Sequence, residues 1–161
     1  MHRSQLGELY NRCAPEGVRL AYLLTGDQAV AEDLVQEAFL RMVARLQFLR
    51  EGEGSRAYLR RTIVNLSKNH FRRRAIEHSH LVRRAGEPQA EARDDDLGTH
   101  EVMRSALMAL SERQRCAIVL RYYEDLADAQ IADIMHCRQA TVRSLIARGL
   151  SALRSVPEVI G

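Results

Sequence analysis

The sequence predicts an all-α protein of two small helical domains joined by a flexible acidic linker, and three observations carry that prediction. Apolar residues recur at three- and four-residue spacing along most of the 161 residues, and no segment alternates with period two. Residues 85–99, AGEPQAEARDDDLGT, hold one bulky apolar residue, Leu97, among Gly, Pro and a triple Asp. Burial of such a segment cannot offset the entropy of ordering it, so it reads as a linker between a module at 1–84 and another at 100–161. The remainder has a globular composition, 46% apolar and 28% charged, with only three prolines and no Trp.

In the first module Leu6, Leu9, Tyr10, Cys13, Val18, Ala21, Tyr22 and Leu24 form a helical stripe that Thr25-Gly26-Asp27 ends. A second helix is expected over about 29–46, with Val30, Leu34, Ala38, Val43 and Leu46 on its apolar face. EGEGS at 51–55 reads as a loop. A third helix, about 56–74, places Leu59, Ile63, Leu66 and His70 inward and leaves a basic face outward.

After the linker, Val102, Met103, Ala106, Leu107 and Leu110 predict a short amphipathic helix. Ser111-Glu112-Arg113-Gln114 has the S-x-x-Q form of a capping box and opens a helix whose apolar set is Ile118, Val119 and Tyr122. A helix over 128–135, a break at His136-Cys137-Arg138 and a helix over 139–154 follow. Ile131, Ala132, Met135, Val142, Ile146, Leu150 and Leu153 can meet in one small core there, the pattern of a helix-turn-helix.

Charge distribution narrows the function more than the net +3 does. Residues 56–84 hold nine basic side chains and one acidic, whereas 87–101 hold one and six. A block that basic in a balanced chain fits a polyanion. No apolar run reaches the roughly 18–20 residues of a membrane span, and residues 1–10 lack a secretory apolar stretch, so no membrane insertion and a cytoplasmic location are expected. Three widely spaced cysteines (Cys13, Cys116, Cys137) suit a reducing compartment. Without a C-x-x-C, H-E-x-x-H, phosphate loop or nucleophile elbow, the sequence offers no metal, cofactor or catalytic centre.

Three surfaces remain, each with a bland alternative. In the last helix Gln139, Thr141, Arg143 and Ser144 sit where side chains can reach base edges, while Arg138 and Arg148 suit the DNA backbone. The alternative is a solvated polar face. On the third helix Tyr58, Asn65, Asn69 and Phe71 interleave with Arg60, Arg61, Lys68, Arg72 and Arg73, giving the stacking and hydrogen-bonding groups used on unstacked strands. An Arg-rich solubility face is its alternative. Asp33 to Arg41 is acidic and apolar, so it is either inert or a protein-binding site.

The order AEDLVQEAFLRMVARL, RAYLRRTIVNLSKNHFRRR, an acidic linker and LSERQRCAIVLRYYEDLADAQIADIMHCRQATVRSLIARGLSALR resembles a sigma-70 family RNA polymerase sigma factor of the extracytoplasmic-function (ECF) group. The resemblance covers nearly everything outside the linker. It implies a transcription initiation factor, not an enzyme, whose partners are core RNA polymerase and promoter DNA; it also admits an anti-sigma factor. Asp33, Leu34, Gln36, Glu37, Phe39, Leu40 and Arg41 would dock on polymerase as region 2.2. Tyr58, Arg61, Asn65, Lys68, Asn69, Arg72 and Arg73 would melt and read the −10 element, with Asn65 on the extruded strand. Arg138, Gln139, Thr141, Arg143, Ser144 and Arg148 would serve the −35 element as region 4.2. A stand-alone helix-turn-helix regulator is the runner-up, and a nucleic-acid-processing enzyme the third reading.

The chain departs from the family pattern around the helix-turn-helix. Ala127 stands where Ser or Thr caps the first helix, leaving Asp128 as the substitute cap. His136-Cys137-Arg138 replaces Gly followed by Cys-Ser, which predicts a strained turn and a poorly capped second helix; Ala140 replaces a frequent Gly.

Overall fold

At the first chain reversal Gly26 takes φ +71°, a conformation that L side chains rarely adopt. It separates α1 (Arg3–Thr25) from α2 (Gln28–Ala44), whose N-cap Asp27 accepts a hydrogen bond from the Val30 amide at 3.2 Å. α1 runs through Pro15, giving up one backbone donor inside the helix. A 3-10 turn, Leu46–Phe48, follows α2. The computed structural model describes residues 3–48, 53–85 and 98–155. Its remaining helices are α3 (Glu53–Ala85), α4 (Thr99–Ala109), α5 (Glu112–Tyr122), α6 (Asp128–Met135) and α7 (Gln139–Arg154), with no strand among the described residues.

α1, α2 and α3 pack against one another around Leu20, Ala21, Leu24, Val35, Ala38, Met42 and Ile63. The buried stripe of α2 runs through Ala31, Leu34, Val35, Ala38 and Met42, while Val30 and Val43 sit at its edge. In the second half α5 and α6 pack on α7 around Leu120, Ile131 and Val142. Gly149 lets α7 approach α5, since a Cβ there would collide with the Ile118 side chain.

Both ends of α3 correct the sequence reading. Glu53, Gly54 and Ser55 are already helical, so the loop expected at 51–55 does not hold for these three, residues 51 and 52 lie outside the described ones, and the helix continues eleven residues past Arg74. Residues 72–80 are exposed throughout, so this part of the extension carries no buried stripe by which to be recognised. Ala85 and Thr99, the ends of the expected linker, are helical; its interior, 86–97, lies outside the described residues. Tyr122 is a further correction: it is 62% exposed and takes no part in the core of α5.

The helix-turn-helix appears at the expected boundaries. Ser111 closes the capping box of α5, its Oγ accepting from the Gln114 amide at 3.2 Å while Gln114 Oε1 accepts from the Ser111 amide at 3.4 Å. Ala127, having no acceptor, caps only through its amide, which donates to Gln130 Oε1 at 3.0 Å. Asp128 is not the substitute cap: it is the first helical residue of α6, and its carboxylate pairs with Arg121. His136 takes φ +53° and ψ +48° at the end of α6, the conformation for which glycine is favoured, and the Cys137 amide closes back on Ala132 O at 3.0 Å. Arg138 then precedes α7 without a capping side chain.

The linker reading allows the two modules to sit apart, but the structure sets them together, with α1 against α4 and α5, α3 against α5, and the buried residues forming one connected core.

Candidate nucleic-acid interfaces

Every cation of α3 stands within one long helix whose inner stripe, Leu59, Ile63 and Leu66, is buried. That anchoring turns Arg56, Arg61, Lys68, Asn69, Arg72 and Arg73 outward, with Tyr58, Arg60 and Asn65 half-buried at the edge. Two of the cations are engaged across the modules. Arg60 Nε donates to Glu124 Oε2 at 2.8 Å, and Arg61 pairs with Asp133. Asn65 and Lys68 line a cleft of about 200 Å³ that Glu112, Arg113, Met135 and His136 close from the other side.

Beside that cleft lies the residue the sequence reading missed. Arg115 is 3% exposed. Its Nε donates to Leu24 O at 2.8 Å and its Nη1 to Leu110 O and Leu107 O at 3.2 and 3.3 Å, so one guanidinium satisfies carbonyls at the ends of α1 and α4. The same group lies 4.8 Å from the centroid of the Phe71 ring, a cation–π contact. Burial lowers its pKa, with Glu112 opposing. Nothing in a three- or four-residue period marks such a role, because Leu24 and Phe71 lie far away in sequence.

Titration shifts cluster around the same junction. Burial lowers the His70 pKa, reinforced by Arg74, and raises that of Glu112 against Arg115, Lys68 and Arg72. The Cys116 thiol is pushed up to about 12, chiefly by burial, which makes it a core residue; Cys137 lies in the turn, half-buried. Among the described residues no cluster of His, Cys, Asp or Glu could hold a metal ion.

On α7 the structure exposes Arg138, Gln139, Arg143 and Arg148 and leaves Thr141 and Ser144 half-buried. Arg148 Nη2 donates to Ser144 Oγ at 2.7 Å. Arg143 Nη1 lies 3.7 Å from Asp128 Oδ2, so the helix before the turn supplies a carboxylate beside this side chain.

The acidic stretch divides by side. Asp33, Gln36, Glu37, Leu40 and Arg41 are exposed, with Glu37 and Arg41 paired at 2.7 Å. Leu34 is turned into the core and cannot present itself to a partner, correcting its place in the surface set; Phe39 packs edge-on against Tyr10 at 5.0 Å. Leu40 is 68% exposed and Phe48, absent from the sequence reading, 77%. Uncovered apolar groups of this size beside acidic ones fit a protein contact better than an inert face.

Comparison with known proteins places these surfaces in a family. Residues 9–76 match Sigma-70 region 2, and residues 100–153 match Sigma-70, region 4. The chain belongs to the sigma-70 family. Its relatives include the RNA polymerase sigma-E factor of Streptomyces avermitilis, 30% identical over 141 residues that cover 85% of this chain and 76% of that one. The ECF RNA polymerase sigma factor SigE of Mycolicibacterium smegmatis is 34% identical over 155 residues, 91% of this chain and 59% of that one. In fold, the sigma-70 chain is similar to the sigma factor RpoE of Bartonella quintana, solved in complex with the anti-sigma factor NepR, with a TM-score of 0.70, 21% identity and coverage of 96% and 98%. This sigma-70 protein is thus an ECF-type transcription initiation factor that directs RNA polymerase to promoters, and the stand-alone regulator is not favoured. Among its described residues no helix is long and apolar enough to cross a membrane.

Proposed function

We propose that the three surfaces divide promoter initiation among them. Residues 1–84 act as region 2, 85–99 as the connection and 100–161 as region 4. The exposed side of α2, with Asp33, Gln36, Glu37, Leu40 and Arg41 and with Phe48 beyond it, docks on core polymerase. The outer face of α3 takes the −10 element: Arg61, Lys68, Asn69, Arg72 and Arg73 hold phosphates or base edges, while Tyr58 and Asn65 receive the opened strand. The start of α7 takes the −35 element, Gln139 and Arg143 towards bases and Arg138, Thr141, Ser144 and Arg148 towards bases or backbone. RNA synthesis belongs to the polymerase, and the sigma factor works beside it in the cytoplasm. Because RpoE of Bartonella quintana is held by an anti-sigma factor, a partner of that kind is proposed here too.

The observation that carries this reading is that one chain exposes an acidic and apolar face on α2 and two separate basic polar faces on α3 and α7. A reconstituted transcription assay tests it. Initiation should require this chain together with core polymerase. Tyr58→Ala or Asn65→Ala should impair duplex promoters at least several-fold, since stacking and base contacts are each worth about 1–3 kcal/mol. Templates with a pre-melted bubble should be affected less, and equal defects on both would remove these residues from strand opening.

A further inference from the structure

One carboxylate at the start of α6 faces guanidinium groups from two other helices. Asp128 Oδ1 pairs with Arg121 of α5, and Asp128 Oδ2 lies 3.7 Å from Arg143 Nη1 on α7. The Arg121 and Asp128 side chains are mostly shielded, whereas Arg143 is largely exposed and stands on the face given above to the −35 element. Asp128 is also the first residue of α6, where the helix dipole favours its ionised form. Arg121 therefore fixes one oxygen of a carboxylate that the helix start already places, and the other oxygen is left beside Arg143.

We propose that Asp128 is a specificity-determining positioning residue for the −35 element, holding the Arg143 guanidinium in the orientation from which it reads a base edge. The proposal rests on the reading of Arg143 as a base contact and adds what sets its direction. An arginine discriminates guanine by presenting two donors in the plane of O6 and N7, a geometry that a freely rotating side chain reaches only part of the time. At 3.7 Å the carboxylate is within ion-pair reach but beyond a hydrogen bond, so it restrains the group without using up a donor. An ion pair with so exposed a partner adds little to stability. Its effect is pre-ordering: affinity for the matching base pair scales with the fraction of molecules already in the competent orientation. On DNA of any sequence the same carboxylate acts the other way, because a negative charge beside the groove repels phosphates. Asp128 thus lowers general affinity while raising discrimination, and a residue that only supported the fold would do neither.

The test uses the full chain assembled with core polymerase and a double-stranded DNA library randomised over the −35 and −10 elements, with sequencing of the retained DNA. Arg143→Ala should erase the preference for one base pair, or two neighbouring ones, within the −35 element. Asp128→Asn should weaken the preference at that same place several-fold and leave the other positions alone, while its binding to poly(dI-dC) is as tight as that of wild type or tighter. Arg121→Gln, which frees the other oxygen, should weaken the same preference by less and guards against a folding defect peculiar to the asparagine. In the Arg143→Ala background Asp128→Asn should change no base preference further. Asp133→Asn, at an exposed acid on the same helix, makes the same change in net charge and should leave the preference intact. An unchanged preference in Asp128→Asn, a loss spread evenly over the −35 positions in both Asp128→Asn and Arg121→Gln, or an equal effect of Asp128→Asn with and without the Arg143 side chain would overturn the proposal. Failure of the underlying reading looks different: Arg143→Ala would lower retention of all sequences alike and erase no preference at any single position, whatever Asp128→Asn did.

Discussion

His136 and Ala127 bracket α6, and each lacks what its position favours. A non-glycine residue in the left-handed region costs about 1–2 kcal/mol, part of which glycine returns to the unfolded chain as entropy. His136→Gly is therefore expected to stabilise the protein by about 0.5–1 kcal/mol. Ala127 already has the extended backbone of an N-cap, φ −74° and ψ 159°, and its amide is already bound by Gln130. Ala127→Ser adds the missing acceptor and should contribute about 0.5–2 kcal/mol. Urea denaturation of the single and double variants checks both, and the gains should add, since the sites lie at opposite ends of the helix. The composition of the turn announced this weakness in the sequence. The rescue by Gln130 and the use of Asp128 as a partner for Arg121 were not legible, because both depend on how side chains close in space.

Helix boundaries were legible wherever a buried stripe continued to the end of the element. α6 and α7 begin and end as expected because Ile131, Val142 and Ile146 keep their period up to the turn. α3 outlasts its stripe, and 75–85 contains no Gly or Pro to stop it, so a reading based on burial ends too early. His70, near the end of that stripe, couples α3 to pH. Burial and Arg74 hold its pKa below the ordinary 6.5, so the unfolded chain binds the proton more readily than the folded one. Its contribution is fully present above pH 6.5 and is lost as pH falls below that value towards the depressed folded pKa. His70→Gln should remove this part of the pH dependence. Thermal unfolding of both proteins between about pH 7.5 and 5 should show a smaller loss of stability in the variant, consistent with the linkage slope. Parallel loss in both would show that His70 titrates alike in the folded and unfolded chains.

At the scale of the molecule, the sequence suggested two modules and three surfaces but not that Arg60 and Arg61 of α3 pair with acids of the second half. A charge count treats Arg60 and Arg61 as free cations, and Glu124 and Asp133 lie 64 and 72 residues away from them. No periodicity reports such pairing. Its thermodynamic consequence is cooperativity. If the junction adds substantially to the stability of both halves, they should unfold together, with one calorimetric transition whose measured enthalpy equals the van't Hoff enthalpy. Raising salt screens Arg61–Asp133 more than the shielded Arg60–Glu124 pair and leaves the Arg115 hydrogen bonds to carbonyls in place, so moderate salt alone should not divide the transition. Glu124→Lys/Asp133→Lys should divide it, because each lysine leaves an arginine facing a like charge across the junction. Two transitions in wild-type protein at low salt would mean that contact between the modules contributes too little to couple them.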